Sequence, residues 1–195
     1  MYSSQKINID IILAIYKDVK TVFRLNDIAL ITGETNFESL NKKLNYYVHK
    51  GKLYNPRKGI YTKSGYNPEE LACCIYTPAY VSLEYVLQKS GVVFQYNSAI
   101  TTVSYLSRAI IVDEKTYSFR KLKGELLIDT SGIIRQNNFV NIASPERAFL
   151  DMLYLDKDYY FDNLNPLNKE FVRTLLPIYQ SKALKSRVTK LLQDG

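Results

Sequence analysis

The stretch Thr32–Thr62, TGETNFESLNKKLNYYVHKGKLYNPRKGIYT, decides the fold. Gly33 supplies a left-handed turn at low steric cost. Thr35 and Glu38 have the spacing of a capping box, in which two side chains satisfy orphan amides at a helix start. Phe37, Leu40, Leu44, Tyr47 and Val48 then recur at helical spacing and form one apolar stripe. The opposite side carries Ser39, Lys42, Asn45, Tyr46 and His49, with Lys43 and Lys50 on the flank. Gly51 ends the helix where a residue without a side chain is favoured. Lys52 to Asn55 reads as a short strand, Pro56-Arg57-Lys58-Gly59 as a tip, and Ile60 to Lys63 as the return strand.

A helix with a wet, basic, amide-rich face followed by a hairpin with a cationic tip is the pattern of a winged helix-turn-helix. In that arrangement the helix enters the major groove and the hairpin touches phosphate beside it. Upstream, Ile7, Ile11, Ile12 and Ile15 predict a first helix from Lys6 to Lys17. Val19 to Phe23 reads as a short extended piece, and Leu25, Ile28, Ala29 and Ile31 predict a second helix ending at Thr32-Gly33. The candidate DNA-binding residues are therefore Ser39, Lys42, Lys43, Asn45, Tyr46, His49, Arg57 and Lys58. The lysines and arginine suit phosphate. Ser39, Asn45 and His49 suit base edges, Asn45 above all, because a carboxamide pairs with adenine. Tyr46 suits phosphate contact or packing on the wing.

Charge is distributed in the same way. The chain carries a net +7. Residues 1–65 hold 11 Lys/Arg against 5 Asp/Glu, a surplus of +6, and residues 66–195 hold 15 against 14, a surplus of +1. A basic segment joined to a neutral one suggests a polyanion-binding head on an ordinary body. Two domains follow as the expectation: 1–65 for DNA binding, and an α+β domain over 66–195 with a helical tail.

Ser64-Gly65-Tyr66-Asn67-Pro68 is turn-forming and marks the boundary. Pro68-Glu69-Glu70 reads as a helix start with acids in its first turn, and Thr77-Pro78 breaks that helix. Val81, Leu83, Val86 and Leu87 predict a helix of about ten residues ending at Gly91. From Ala99 to Val112, β-branched and aromatic residues predict strands, with Asp113-Glu114-Lys115 as a hairpin turn into Thr116 to Phe119. Glu125 to Ile128, Ile133 to Arg135 and Phe139 to Ile142 are further strand candidates. Ser144-Pro145-Glu146 is a strong helix start. Asn168 to Gln193 reads as helical, interrupted near Pro177.

Catalytic and metal-binding patterns are sparse, and no catalytic residue, cofactor or enzyme activity is assigned. Cys73 and Cys74 are adjacent and form no disulfide framework, which fits a reducing compartment. With one His in the chain they do not complete a metal set, and they read as small buried apolar residues on a helix. Asp113-Glu114-Lys115 has the acid-x-Lys order of some metal-dependent nucleases, but no Asp or Glu lies between Glu84 and Asp113 to help hold a metal. The N-terminus does not read as a signal peptide, and no apolar run approaches the ~20 residues of a membrane span. A cytoplasmic protein is the expectation.

Three stretches carry a family resemblance: Arg57-Lys58-Gly59-Ile60-Tyr61; Tyr80-Val81-Ser82-Leu83-Glu84 closing with Ser90-Gly91-Val92-Val93; and Ala143 to Tyr154, which contains Ser-Pro-Glu-Arg-Ala. In order and spacing over roughly residues 5 to 155, the chain resembles AbiEi-type antitoxins, the transcriptional regulators of bacterial AbiE abortive-infection toxin–antitoxin systems. It departs from them at Tyr85-Val86, where small residues are usual, and its recognition helix is its own. The resemblance implies a winged-helix N-terminal domain and an α+β C-terminal antitoxin domain. It implies autorepression through inverted repeats in the chain's own promoter, and neutralisation of a cognate nucleotidyltransferase-like toxin. A single reading head implies two copies on such a repeat, with a homodimer on DNA as one arrangement of them. The alternatives are an antitoxin whose winged helix binds its toxin instead of DNA, and a metal-dependent nucleic-acid enzyme using the Ala99–Ile142 sheet. Glu146, Arg147 and Asp151 read as an acid near a helix N-terminus and a local ion pair, with a toxin-facing or regulatory surface as the alternative.

Overall fold

The computed structural model describes residues 10–193. Asp10 starts the described chain by capping helix α1 (Ile11–Lys17), its carboxylate accepting from the Ile12 and Leu13 amides. The part of the expected first helix before Asp10 lies outside the described residues. Strand β1 (Val22–Arg24) runs directly into helix α2 (Leu25–Thr32), which ends at Gly33 in the left-handed region, φ 67°. Helix α3 (Phe37–His49) and strands β2 (Tyr54–Arg57) and β3 (Ile60–Thr62) follow. The hairpin is joined by β1, giving a three-stranded antiparallel sheet in the order β1-β3-β2, with Phe23 opposite Tyr61. Ile11, Ile15, Phe23, Ile28, Leu40, Leu44, Leu53 and Tyr61 form the apolar cluster beneath it.

One expectation fails at the α3 start. The cap is Asn36, whose Oδ1 accepts from the Ser39 amide at 2.9 Å, and not Thr35 with Glu38. Asn36 stands three residues before Ser39, and its short carboxamide reaches that amide directly. Phe37, expected in the buried stripe, is 47% exposed because it lies at the open end of the helix.

The rest is mixed α+β. After α4 (Pro68–Ile75), a six-stranded sheet in the order β6-β7-β5-β4-β9-β8 is built from β4 (Ala79–Val81), β5 (Ile100–Ser104), β6 (Arg108–Val112), β7 (Lys115–Lys121), β8 (Ile133–Arg135) and β9 (Asn141–Ala143). The β5/β7 and β4/β9 pairs are parallel and the others antiparallel. Helices α5 (Glu84–Lys89), α6 (Gly124–Ile128), α7 (Pro145–Leu155), α8 (Lys169–Leu175) and α9 (Lys182–Gln193) complete it, with a 3-10 turn at Leu176–Tyr179 containing Pro177. Ser144 caps α7 by accepting from the Arg147 amide.

Two sequence expectations are corrected here. The helix expected through Val81 to Gly91 is a strand followed by a six-residue helix. Leu83, fully buried at φ 61°, turns the chain between them, and Thr101 Oγ1 accepts from the Tyr85 amide and donates to the Ser82 carbonyl. That hydroxyl supplies partners which a continuous helix would have found in its own backbone. Glu125 to Ile128, expected as a strand, is helix α6, because Leu126 and Leu127 both turn inward and an apolar run this short carries no period of its own.

The two apolar clusters meet at a polar seam. Glu70, on α4, is 6% exposed; its carboxylate accepts from the amides of Thr21 at 2.6 Å and Val22 at 2.9 Å, and from Asn138 Nδ2 at 3.0 Å. Arg24 donates to the Cys74 carbonyl and to Thr77, and the Asn67 amide donates to Thr21 Oγ1. Among the described residues no helix is long and apolar enough to cross a membrane.

Candidate nucleic-acid interface

Buried Leu40 and Leu44 fix the rotation of α3. With those two inward, Glu38, Lys42, Asn45 and His49 form a single exposed row, since spacings of four, three and four return to the same face of a helix. Asn41 flanks the row on one side and Tyr46 on the other, both exposed. Ser39 is half-buried at the first turn. Lys43 stands on the flank and holds Glu34 at 3.1 Å. Lys42 holds Glu38 at 2.7 Å with both side chains more than three-quarters exposed. Such solvated pairs contribute little to stability, and a phosphate can exchange into them. Lys50 lies 5.7 Å from the Tyr46 ring centroid, and Tyr46 meets Tyr47 edge to face.

The two cations of the hairpin tip are placed differently. Lys58 is exposed at the turn. Arg57 is half-buried, its guanidinium 5.5 Å from the Tyr76 ring centroid and within 3.3 Å of that hydroxyl, so it packs the hairpin onto the body. Asn55 closes the tip by donating to the carbonyls of Arg57 and Ile60. A cleft of about 310 Å³ beside the tip is lined by Arg24, Asn26, Arg57 and Lys58, among others. The structure thus brings Lys42, Asn45, Tyr46 and His49 onto one face and Lys58 onto the neighbouring hairpin. Ser39 and Arg57 are partly withdrawn.

Three residues escaped the sequence reading. Asn41 joins α3 to the hairpin by accepting from the Tyr61 hydroxyl at 2.6 Å; its place one turn before Asn45 was the only signal. Asn55 and Tyr76 had none, because their partners are set by the hairpin's closure and by the fold of the body.

The charged residues of α7 are not a surface. Arg147 and Asp151 are both 0% exposed, with Arg147 Nε donating to Asp151 Oδ1 at 3.2 Å. Tyr80 and Ser82 hydroxyls donate to Oδ2 at 2.9 Å each, and Tyr179 donates to Oδ1 at 2.6 Å. Arg147 also donates to the Leu126 and Ser131 carbonyls. Burial works against its charge, but Asp151, Tyr179 and Tyr80 hold the guanidinium pKa above its ordinary value. Glu146 is also buried, accepting from the Asn168 amide. These are structural groups, and the alternative of a toxin-facing surface is withdrawn for them.

Elsewhere the chemistry is quiet. Cys73 and Cys74 are half-buried on α4, and burial pushes the Cys73 thiol up to about 12, which disfavours the reactive thiolate. Asp113 and Glu114 form the β6–β7 turn at φ 47° and 64°, with Asp113 accepting from the Tyr66 hydroxyl. Among the described residues no three of His, Cys, Asp and Glu are grouped to hold a metal ion. Comparisons with protein-family models and with curated proteins return no match for this chain.

Proposed function

We propose that the chain is a DNA-binding autorepressor and antitoxin of a bacterial abortive-infection system, cytoplasmic and without catalytic activity of its own. Residues 1–65 form a winged helix-turn-helix and residues 66–195 the antitoxin domain. The observation that carries the DNA part is the exposed row Lys42, Asn45 and His49 on α3 beside the cationic tip at Lys58, on the segment that holds most of the surplus charge. Helix α3 reads base edges in the major groove while Lys42, Lys43 and Lys58 contact phosphate. Two copies on an inverted repeat occlude the promoter. The antitoxin part, and a nucleotidyltransferase-like toxin as the counterpart, rest on the resemblance carried by the wing return, the Tyr80–Glu84 segment and the Ala143–Tyr154 segment.

The test is fluorescence anisotropy with the chain's own upstream duplex and a scrambled control over a salt series. Lys42→Ala/Lys58→Ala is the informative variant, since changing Arg57 would also remove its packing on Tyr76. Removing one phosphate-bound cation flattens the slope of log affinity against log salt by about 0.9, so the double variant should flatten it by about 1.8. Equal binding to both duplexes, or an unchanged slope, contradicts the proposal.

A second reading, in which the winged helix docks on the toxin, is favoured by Leu30 and Phe37. They are 82% and 47% exposed and line a cleft between α2 and α3. Leu30→Lys abolishing toxin neutralisation while leaving the salt slope unchanged would select it.

A further inference from the structure

The six-stranded sheet has two edges, and they are not alike. β8 is three residues long, which limits what can pair with it. β6 is five residues long and pairs with β7 in unbroken register from Arg108 opposite Phe119 to Val112 opposite Lys115. It has no proline, no bulge and no charge after its first residue. Ile111 is 73% exposed, and Ala109, which shares its face, is exposed too. Proteins normally blunt such an edge, since its unpaired backbone groups template another strand.

The sequence around β6 says which strand. The edge begins with a cation, Arg108, and runs out into two acids, Asp113 and Glu114. Neither Arg108 nor Glu114 has an ion-pair partner among the described residues. A strand that is basic at one end and acidic at the other complements itself when it pairs antiparallel. About a two-fold axis at Ile110, each Arg108 lies opposite Val112 of the second copy and beside its Asp113-Glu114 turn. Each Ala109 lies opposite Ile111 of the second copy, a small residue against a large one. Both contacts occur twice, as an isologous interface requires.

We infer that β6 is a self-association edge, through which two copies of this chain join their sheets into one twelve-stranded sheet. One short strand pair buries less than the about 1,200 Å² that marks the weak and transient class of interface, so the free protein dimerises weakly, in the micromolar range or above. Self-association at β6 is independent of DNA binding, and it is tested without DNA.

Sedimentation equilibrium of the full chain, from micromolar to several hundred micromolar, should fit a monomer–dimer equilibrium. Cross-strand pairs contribute roughly 0.2–1 kcal/mol each and every off-axis contact occurs twice, so Arg108→Glu or Glu114→Lys alone should weaken dimerisation about fivefold. The double variant Arg108→Glu/Glu114→Lys, with the charges exchanged, should return to within about twofold of the parent. Ile111→Lys should weaken it about tenfold or more. Arg108, Ile111 and Glu114 are all exposed, and unchanged thermal unfolding of each variant separates loss of association from loss of fold. A parent that stays monomeric throughout the range overturns the inference and leaves the edge to a strand of another protein. So does a dimer indifferent to Ile111→Lys, or a charge-exchanged double variant no better than its singles.

Discussion

Helices α3 and α7 each carry an acid–base pair four residues apart, and the two pairs do opposite things. Glu38–Lys42 on α3 is a 2.7 Å contact with both partners solvated. Arg147–Asp151 on α7 is a 3.2 Å contact with both partners fully buried. The closer pair is the weaker one in its consequence for folding. Water already satisfies Glu38 and Lys42 singly, whereas Arg147 and Asp151 depend on each other, on Asp129 at 3.8 Å from Arg147, and on the hydroxyls and carbonyls around them. Spacing decides which residues meet, and burial decides whether meeting matters. The solvated pair leaves α3 free to exchange its partner for a ligand, while the buried pair holds α7, Tyr80, Ser82 and Tyr179 in one arrangement.

The sharpest way to break this contrast is Asp151→Ala. It leaves the buried guanidinium with only the more distant, partly exposed Asp129 as counter-charge, and denaturant unfolding should show a loss of about 3–5 kcal/mol. A loss under about 1 kcal/mol would mean that the network contributes little beyond packing. Tyr179→Phe removes one donor and keeps the ring, so about 1–2 kcal/mol is expected by the same method. The Glu69–Lys89 pair lies between the two extremes, with side chains 12% and 57% exposed. Burial raises the Glu69 pKa, but the contacts from Lys89 and Tyr85 outweigh it and hold the carboxyl below its ordinary value of 4.5. Its contribution is therefore complete above the unfolded pKa and disappears as pH falls through the depressed folded value. Glu69→Gln should cost under about 1 kcal/mol at neutral pH. The gap from the parent should close in acid, and a gap that widens there would contradict this reading. Lys42→Ala should be the smallest effect, within about 0.5 kcal/mol in thermal unfolding, while altering any DNA salt slope.

The parts of the fold that sequence made legible are those fixed by near neighbours. The α3 apolar stripe, Gly33 at the turn, the hairpin after Gly51 and the Ser144 cap all depend on residues within a turn or two of each other. The candidate reading face was legible for the same reason: once Leu40 and Leu44 turn inward, Lys42, Asn45 and His49 have only one place to go. What was missed depends on distant partners. Glu70 looked like an acid suited to a helix dipole, and its real partners are the Thr21 and Val22 amides far upstream and Asn138 on the far side. The Arg57 contact with Tyr76 of the body had no signal near Arg57 in the chain. The Arg147–Asp151 spacing is that of a surface pair, and its burial follows from Tyr80 and Tyr179, each remote in the chain. Leu83 and α6 were misread because short apolar runs do not declare a period, and neighbouring strands settle them.

The Glu70 carboxylate has one more consequence. It holds strand β1 to α4 through two amides, while the covalent connection between the units is the turn at Ser64-Gly65. The orientation of α3 relative to the large sheet is therefore an equilibrium of docking and not a matter of tether length. Lengthening a flexible tether costs only about 0.6 kcal/mol per doubling, so glycines inserted after Gly65 should leave the two units docked as they are. A change at Glu70 would instead loosen that docking with every covalent bond intact, leaving Arg24 on Cys74 and Thr77 and Arg57 on Tyr76 to hold the seam.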